Sequence, residues 1–182
     1  QAVGTLRRPG AAIPDDRLTL AEAAVRADAL AAEGNEQELA DLRRQWDDEL
    51  EAEARNADYR QRAVAYRAVG QFRFRQKMEL LRRGLEDESP ACRGSALVSL
   101  EFLSRDAPGG INAARPLLHR LVSADGNQAV RRLAVVCLRN GSPSRDTLVL
   151  LNGLADDDEA DRDLRDVSRK VAAALKKKSD TR

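Results

Sequence analysis

The chain has 182 residues, of which 34% are charged and only 3% aromatic, and its formal net charge is +1 at pH 7. This length suits one compact domain or one short array of repeats, and abundant Ala, Leu and Arg favour helices over sheets. It contains no run of the ~20 apolar residues that a membrane span needs. We expect a soluble, cytoplasmic all-α protein without membrane insertion; the start at Gln1 leaves export open.

The first part of the chain predicts a flexible arm followed by a helical hairpin. Residues 1–16 contain Gly and Pro without periodicity, which is typical of an arm. Thr19, with Glu22 three residues later, has the pattern of a capping box, and Gly34 indicates the end of that helix. A second helix carries a near-heptad apolar stripe at Leu39, Leu42, Trp46 and Leu50. We therefore predict an acidic hairpin over residues 17–57, acting as a cap or as an extra repeat.

One sequence motif then recurs four times: an arginine, a small residue three positions later, and small or apolar residues after that. The arginines are 31, 38 and 34 residues apart, a period typical of helical solenoids. The copies are Arg62–Ala65–Ala68–Val69, Arg93–Ala96–Ser99–Leu100, Arg131–Ala134–Cys137–Leu138 and Arg165–Ser168–Val171–Ala172. This pattern predicts an extended binding surface built from stacked helix pairs.

Apolar periodicity and turn residues divide the rest into a solenoid over residues 58–177 and a tail over 178–182. The predicted helix pairs are 58–70 with 74–86, 90–104 with 111–123, and 127–139 with 145–155, followed by a last helix near 160–177. Short connections predict antiparallel neighbours.

The repeat resembles the HEAT repeat in its short bacterial form. Val130-Arg131-Arg132-Leu133-Ala134, ending in Leu138, is similar to the family's first helix, and it follows the acidic turn Asp125-Gly126-Asn127. Pro116-Leu117-Leu118-His119-Arg120-Leu121 is similar to the opening of the family's second helix, where proline in a first turn needs no N–H partner. The resemblance covers about 120 of the 182 residues and implies a right-handed α–α solenoid of three to four repeats.

The shared arginine is interpreted as structural. A guanidinium at this position can bond acidic residues in the turn of its own or the adjoining repeat and so form a ladder. Acidic residues occupy those turns at 86–88, at Asp125 and at 156–158. We predict this role for Arg93, Arg131 and Arg165.

The sequence offers little for catalysis or metal binding, and we predict no cofactor. His119 is the only histidine, and its neighbours in sequence supply no nucleophile or orienting carboxylate. With two cysteines and one histidine, a conventional zinc cluster is not predicted. Cys92 and Cys137 are expected to be buried, reduced thiols. Some HEAT-like families are enzymes, and a bilin-lyase-like activity stays an alternative.

Charge is distributed unevenly along the chain. Residues 15–58 carry 14 acidic and 5 basic groups, a balance of −9, whereas residues 59–120 carry 12 basic and 6 acidic groups, a balance of +6. The densest basic run lies at residues 60–83. A solvated face is the plain interpretation of this run, and a docking surface for an acidic partner is the functional one.

We predict a non-catalytic scaffold that presents a concave surface of second helices to a protein partner with an acidic surface. Nucleic acid bound by the 60–83 run is the first alternative, and a bilin-lyase-like activity is the second. The predicted partner-binding residues are Arg75, Glu79, Arg82, Arg83, Arg115 and His119. The first four are expected to share the exposed face of the helix at 74–86, opposite its apolar stripe.

Overall fold

The computed structural model describes residues 18–181, which form nine helices and, within that range, no strand. The predicted arm at 1–16 and the last residue of the tail lie outside this range. The helices are α1 Leu20–Ala32, α2 Glu36–Glu53, α3 Tyr59–Gln71, α4 Met78–Leu85, α5 Pro90–Ser104, α6 Gly109–Ala124, α7 Gln128–Leu138, α8 Arg145–Ala155 and α9 Arg162–Asp180.

The helices stack in two rows, which confirms the predicted all-α, solenoid-like fold. The odd-numbered helices α1, α3, α5, α7 and α9 form one continuous row in which each packs against the next. The even-numbered helices lie beside this row, and α4, α6 and α8 pack chiefly against the odd-numbered helix that follows each of them. One continuous apolar core therefore runs along the stack.

The repeated motif lies at the interfaces between neighbouring odd-numbered helices. Its small and apolar positions are all buried, at Ala65, Ala68, Val69, Ala96, Ser99, Leu100, Ala134, Cys137, Leu138, Ser168, Val171 and Ala172. Small residues let backbones approach closely. A Cβ built on Gly70 in α3 would lie 3.0 Å from the Cα of Ser99 in α5. Sequence periodicity thus identified an interface in which two neighbouring helices approach closely.

The hairpin helices begin and end as the sequence predicts. Thr19 Oγ1 accepts a hydrogen bond from the Glu22 amide at 3.2 Å, and the Glu22 carboxylate accepts one from the Thr19 amide at 2.8 Å. Gly34 ends α1 with φ of 73°, a conformation that glycine adopts without strain. Because α1 packs on both α2 and α3, it occupies the first position of the odd-numbered row. The boundary at residue 57 stays a prediction.

The second helix of the first predicted repeat is shorter than expected. It was predicted over 74–86, but α4 begins at Met78, so Phe74 and Arg75 precede it. The chain turns there because α3 ends with Arg73 in the left-handed region, at φ of 57°, and the Phe74 amide donates to the Val69 carbonyl at 3.0 Å. This is the Schellman closure that glycine usually makes, here made by an arginine.

The predicted position of Pro116 in its helix was also wrong. The resemblance placed this proline in a first turn, whereas α6 begins at Gly109 and Pro116 lies inside the helix. Proline supplies no N–H for the bond to the carbonyl four residues earlier. The helix continues through Pro116 to Ala124 because Ile111, Leu117 and Leu118 anchor its two halves in the core.

The arginine ladder is present in the first half of the stack. Arg62 binds Asp87 through Nε at 2.9 Å and Nη2 at 3.1 Å, and its Nη1 donates to two backbone carbonyls. Arg93 binds Asp125 in the same way, at 2.7 and 3.0 Å, with Nη1 again on two carbonyls. Each of these rungs joins the start of one odd-numbered helix to the turn before the next.

The ladder is incomplete toward the C-terminus. Arg131 Nε donates to the Val122 carbonyl at 2.7 Å, and within residues 18–181 Arg131 makes no ion pair. Arg165 lies 3.7 Å from Asp158 of its own turn, and its buried Nε has no hydrogen bond within the described chain. The predicted pairing with a turn carboxylate is therefore confirmed for Arg93 and is wrong for Arg131, which binds a backbone carbonyl instead. For Arg165 it holds only as a long contact.

Candidate functional site

The α4 helix carries three of the predicted binding residues on one exposed face. Its buried positions are Leu80, Leu81, Gly84 and Leu85. Glu79, Arg82 and Arg83 lie on the opposite side, exposed to solvent. Within residues 18–181 none of these three side chains forms an ion pair. The structure thus groups them as a charged ridge with no partner inside the described fold; we call Glu79, Arg82 and Arg83 the α4 ridge.

An apolar cleft lies beside this ridge, between α4 and α6. Its floor is formed by Leu81, Leu85 and Leu100, and its volume of about 60 Å³ suits one aliphatic side chain. Gly110 opens the cleft, because a Cβ there would lie 2.6 Å from Met78 Cε. Sequence reasoning missed the cleft, since the α6 residues that line it (Gly110, Ala113 and Ala114) carry no charge or motif.

Arg75 does not belong to this surface. It lies in the turn before α4, where its Nη1 donates to the Leu103 carbonyl at 3.2 Å and to Asp106 at 3.3 Å. It lines a different pocket with Arg43, Arg73 and Gln76. The expectation that Arg75 shares a helix face with Arg82 and Arg83 was wrong because the chain is not helical before Met78.

Arg115 holds α6 to the turn that precedes α8. Its Nη2 donates to Asn112 Oδ1 at 2.8 Å and to the Ser142 carbonyl at 2.7 Å, while its buried Nε makes no hydrogen bond within the described residues. The Asn112 side-chain Nδ2 donates to Ser142 Oγ at 3.0 Å. This guanidinium has a structural role, and its place among the partner-binding residues has no support from the geometry.

His119 is joined to Thr147 at the start of α8. The His119 Nε2 and Thr147 Oγ1 atoms are 2.8 Å apart. Burial lowers the pKa of His119, and the positive charge of Arg115 lowers it further, although Asp146 acts in the opposite direction. A histidine beside a hydroxyl is the arrangement of a base and a nucleophile. Thr147, however, is only 1% exposed, so no substrate could reach its hydroxyl in this conformation.

The sequence was compared with protein-family models and with curated proteins. Neither comparison finds a match.

The basic run at residues 60–83 has many internal partners. Arg62 and Arg75 pair with Asp87 and Asp106, and two other members of the run bind acidic residues of the hairpin. Arg73 Nη1 donates to Asp28 of α1 at 2.8 Å. Lys77 Nζ donates to Asp47 at 2.6 Å and to Glu51 at 2.9 Å. The opposite charges of the two sequence segments therefore meet within the fold, and four of the eight basic side chains have carboxylate partners.

Lys77 is the most buried member of this run, at 8% exposure. Burial alone would lower the pKa of Lys77, but the hydrogen bonds to Asp47 and Glu51 outweigh that effect and leave the pKa raised. Its ammonium also lies 5.0 Å from the centre of the Phe74 ring. Lys77 thus joins α2 to the turn before α4.

The two cysteines are buried, free thiols, as predicted. Cys92 Sγ donates to the Tyr59 carbonyl, and Cys137 Sγ donates to the Leu97 carbonyl. Burial raises the pKa of both thiols, which makes them poor nucleophiles.

Across residues 18–181 no group of His, Cys, Asp or Glu side chains is arranged to hold a metal ion. Over that same range, no helix combines the length and the apolar character that crossing a bilayer requires.

Proposed function

We propose that this chain is a non-catalytic protein-interaction module, a HEAT-like solenoid whose second helices contact an acidic protein partner. The observation that carries the proposal is the α4 ridge, which lies beside an apolar cleft and has no internal ion pair in residues 18–181. Exposed charges around a small apolar pocket are typical of a docking site with an anchor residue.

The chemistry of the partner follows from the cleft and its rim. One aliphatic side chain fills the cleft, and a carboxylate of the same segment pairs with Arg82 or Arg83. Because α4 and α6 are held by the packed core, the surface is rigid before binding, and little conformational entropy is lost on docking.

The alternative of nucleic-acid binding has less support. Four of the eight basic side chains in the 60–83 run are engaged by carboxylates, which reduces the positive potential available to phosphates. A bilin-lyase-like activity has no observation in its favour.

The proposal is tested by capturing partners from a lysate of the source organism with the immobilised chain. Three variants are compared with the wild type: Arg82→Glu with Arg83→Glu, which reverses the ridge; Ala113→Trp, which fills the cleft; and Lys170→Glu with Lys176→Glu, a matched charge reversal on the exposed part of α9. Each capture is run at two salt concentrations, with and without nuclease.

We expect that the wild type and the α9 variant both retain one partner protein, and that the ridge variant and the cleft variant both lose it. Exposed charges contribute little to stability, so the charge-reversal variants should remain folded. Capture of that protein by both the ridge variant and the cleft variant contradicts the assigned surface. Capture that nuclease abolishes supports nucleic acid instead.

A further inference from the structure

Three arginines from two parts of the chain line one polar pocket. Arg43 extends from α2, and Arg73 and Arg75 come from the turn between α3 and α4; Ala31, Glu36 and Gln76 complete the lining of an opening of about 420 Å³. The Arg43 and Arg73 side chains are only 22% and 19% exposed, whereas that of Arg75 is 56% exposed. We call this the arginine pocket; none of its residues lines the α4–α6 cleft.

Each guanidinium of the pocket is anchored through the same nitrogen. Arg43 Nη1 donates to the Phe72 carbonyl at 3.1 Å. Arg73 Nη1 donates to the Gly70 carbonyl at 2.9 Å, and Arg75 Nη1 to the Leu103 carbonyl at 3.2 Å. These carbonyls lie at the C-terminal ends of α3 and α5, so backbone acceptors fix the position of all three side chains.

The opposite edge of each guanidinium, formed by Nε and Nη2, has donors that the described fold leaves unused. Within residues 18–181, the Nε and Nη2 atoms of Arg43, Arg73 and Arg75 donate no hydrogen bond. Glu36 lies 3.7 Å from Arg43 Nη2, with its side chain 76% exposed, and Asp28 and Asp106 accept hydrogen bonds from Nη1 of Arg73 and Arg75. Three guanidiniums with unused donors therefore line one opening.

The ladder arginines indicate what such an edge binds in this protein. Arg62 and Arg93 are likewise anchored by Nη1 on backbone carbonyls. Their Nε and Nη2 atoms grip an aspartate with two parallel hydrogen bonds, the geometry in which arginine recognises carboxylate and phosphate. By the same chemistry, the edges in the arginine pocket suit an oxyanion.

Backbone strain at the pocket supports this assignment. Arg73 has a φ of 57°, whereas the equivalent residue at the end of α1 is Gly34, with a φ of 73°. Glycine would adopt this conformation without a steric penalty. The arginine nevertheless puts its guanidinium at the pocket, 4.1 Å from the centre of the Phe102 ring. Strained residues of this kind occur preferentially at ligand sites.

We propose that the arginine pocket binds a phosphate group. The lining carries three positive charges and the one negative charge of Glu36. Asp28 and Asp106 offset part of this charge through Nη1 of Arg73 and Arg75, but the Nε and Nη2 donors stay available to a phosphate. A tetrahedral phosphate presents three terminal oxygens that can meet three guanidinium edges, whereas a planar carboxylate fills only one. The group comes either from a phosphorylated side chain of a protein or from free phosphate.

The test is titration of the full chain, at constant ionic strength, with inorganic phosphate and separately with O-phosphoserine, followed by calorimetry. We expect saturable binding that Arg75→Gln weakens about tenfold, the loss associated with one charged hydrogen-bonding group. Arg82→Gln, a matched change on the α4 ridge, should leave the affinity unchanged. Glu36→Gln should strengthen binding, because it removes the one competing carboxylate of the lining.

The two probes identify the source of the group. Tighter binding of O-phosphoserine than of phosphate supports a phosphorylated protein, and equal or weaker binding supports the free ion. Absence of saturable binding of both probes overturns the proposal. Equal weakening by Arg75→Gln and Arg82→Gln also overturns it, because it would indicate non-specific attraction. Since these variants are read out by phosphate affinity and those of the cleft by partner capture, either proposal can fail without the other.

Discussion

Alanine in place of Gly70 tests how closely the odd-numbered helices approach. A Cβ at this position would lie 2.9 Å from Ser99 Oγ, 3.0 Å from Ser99 Cα and 3.2 Å from Ser99 Cβ. Non-bonded carbon atoms in a core normally sit about 3.5–4.0 Å apart. Since one of these neighbours is backbone, α3 and α5 would have to separate by about 0.5–1 Å.

Three effects set the expected magnitude. Overpacking a core costs about 1–3 kcal/mol. Weakening the buried hydrogen bond from the Gly70 amide to Ser99 Oγ, which is 3.0 Å long, costs about 1 kcal/mol more. Alanine regains about 1 kcal/mol over glycine in a helix. The net loss is about 1–3 kcal/mol, equivalent to a fall in Tm of about 3–10 °C for a chain of this size.

Thermal unfolding followed by circular dichroism measures this change, with Gly153→Ala as the matched control. Gly153 lies in α8 with nothing within 4 Å of its built Cβ, so only the helix-propensity gain applies and Tm should rise by about 2–4 °C. Adding Ser99→Ala to Gly70→Ala should restore only part of the stability, because the new methyl group still meets the backbone of residue 99. A Gly70→Ala protein that melts at or above the wild-type temperature would refute the close approach of the two helices.

Three further predictions concern packing, the hairpin and pH. Ala134→Glu buries an unpaired charge at a fully buried position and should cost several kcal/mol, whereas Arg139→Glu on an exposed turn should be nearly neutral; equal melting temperatures would contradict the repeat alignment. A fragment starting at residue 57 loses the packing of α1 and α2 on α3 and leaves Lys77 without its carboxylates, so it should bind a hydrophobic dye and aggregate; a monomeric, fully helical fragment would be evidence against a capping role. Burial raises the pKa of Asp87, but hydrogen bonds from Arg62 and the Ser89 amide outweigh it and leave the pKa below its usual 3.8. Its stabilisation is therefore complete above that value and disappears as pH falls through the folded-state pKa, so the urea midpoint of Asp87→Asn should fall less steeply with acid than that of the wild type.

Periodicity and turn chemistry predicted most of the helices. The α5 helix and α8 lie where the apolar spacing placed them, and α1 ends at the glycine that was expected to end it. These features are local, since a capping box or a Gly turn involves only neighbouring residues. The α4 boundary was missed because an arginine holds the left-handed position at residue 73, where glycine or asparagine is the usual signal.

The candidate site was predicted only in part. Helical spacing correctly placed Glu79, Arg82 and Arg83 on one exposed face. It could not separate them from Arg115, because the Ser142 carbonyl that binds Arg115 lies 27 residues further along the chain. Arg43 was overlooked for the same reason: its carbonyl acceptors are about 30 residues away, and such long-range partners leave no trace in periodicity.

The complete rungs of the arginine ladder also determine how the stack can come apart. A rung such as Arg62–Asp87 exists only while two consecutive repeats are both folded, so it acts as a nearest-neighbour coupling energy in a one-dimensional array. The joint between α7 and the start of α9 has a weaker link, a single hydrogen bond of 3.3 Å from Arg132 Nη1 to Asp161 in place of a two-bonded rung. Fraying should consequently start at the C-terminal end, and amide hydrogens of α8 and α9 should exchange through smaller openings than those of α3 and α5.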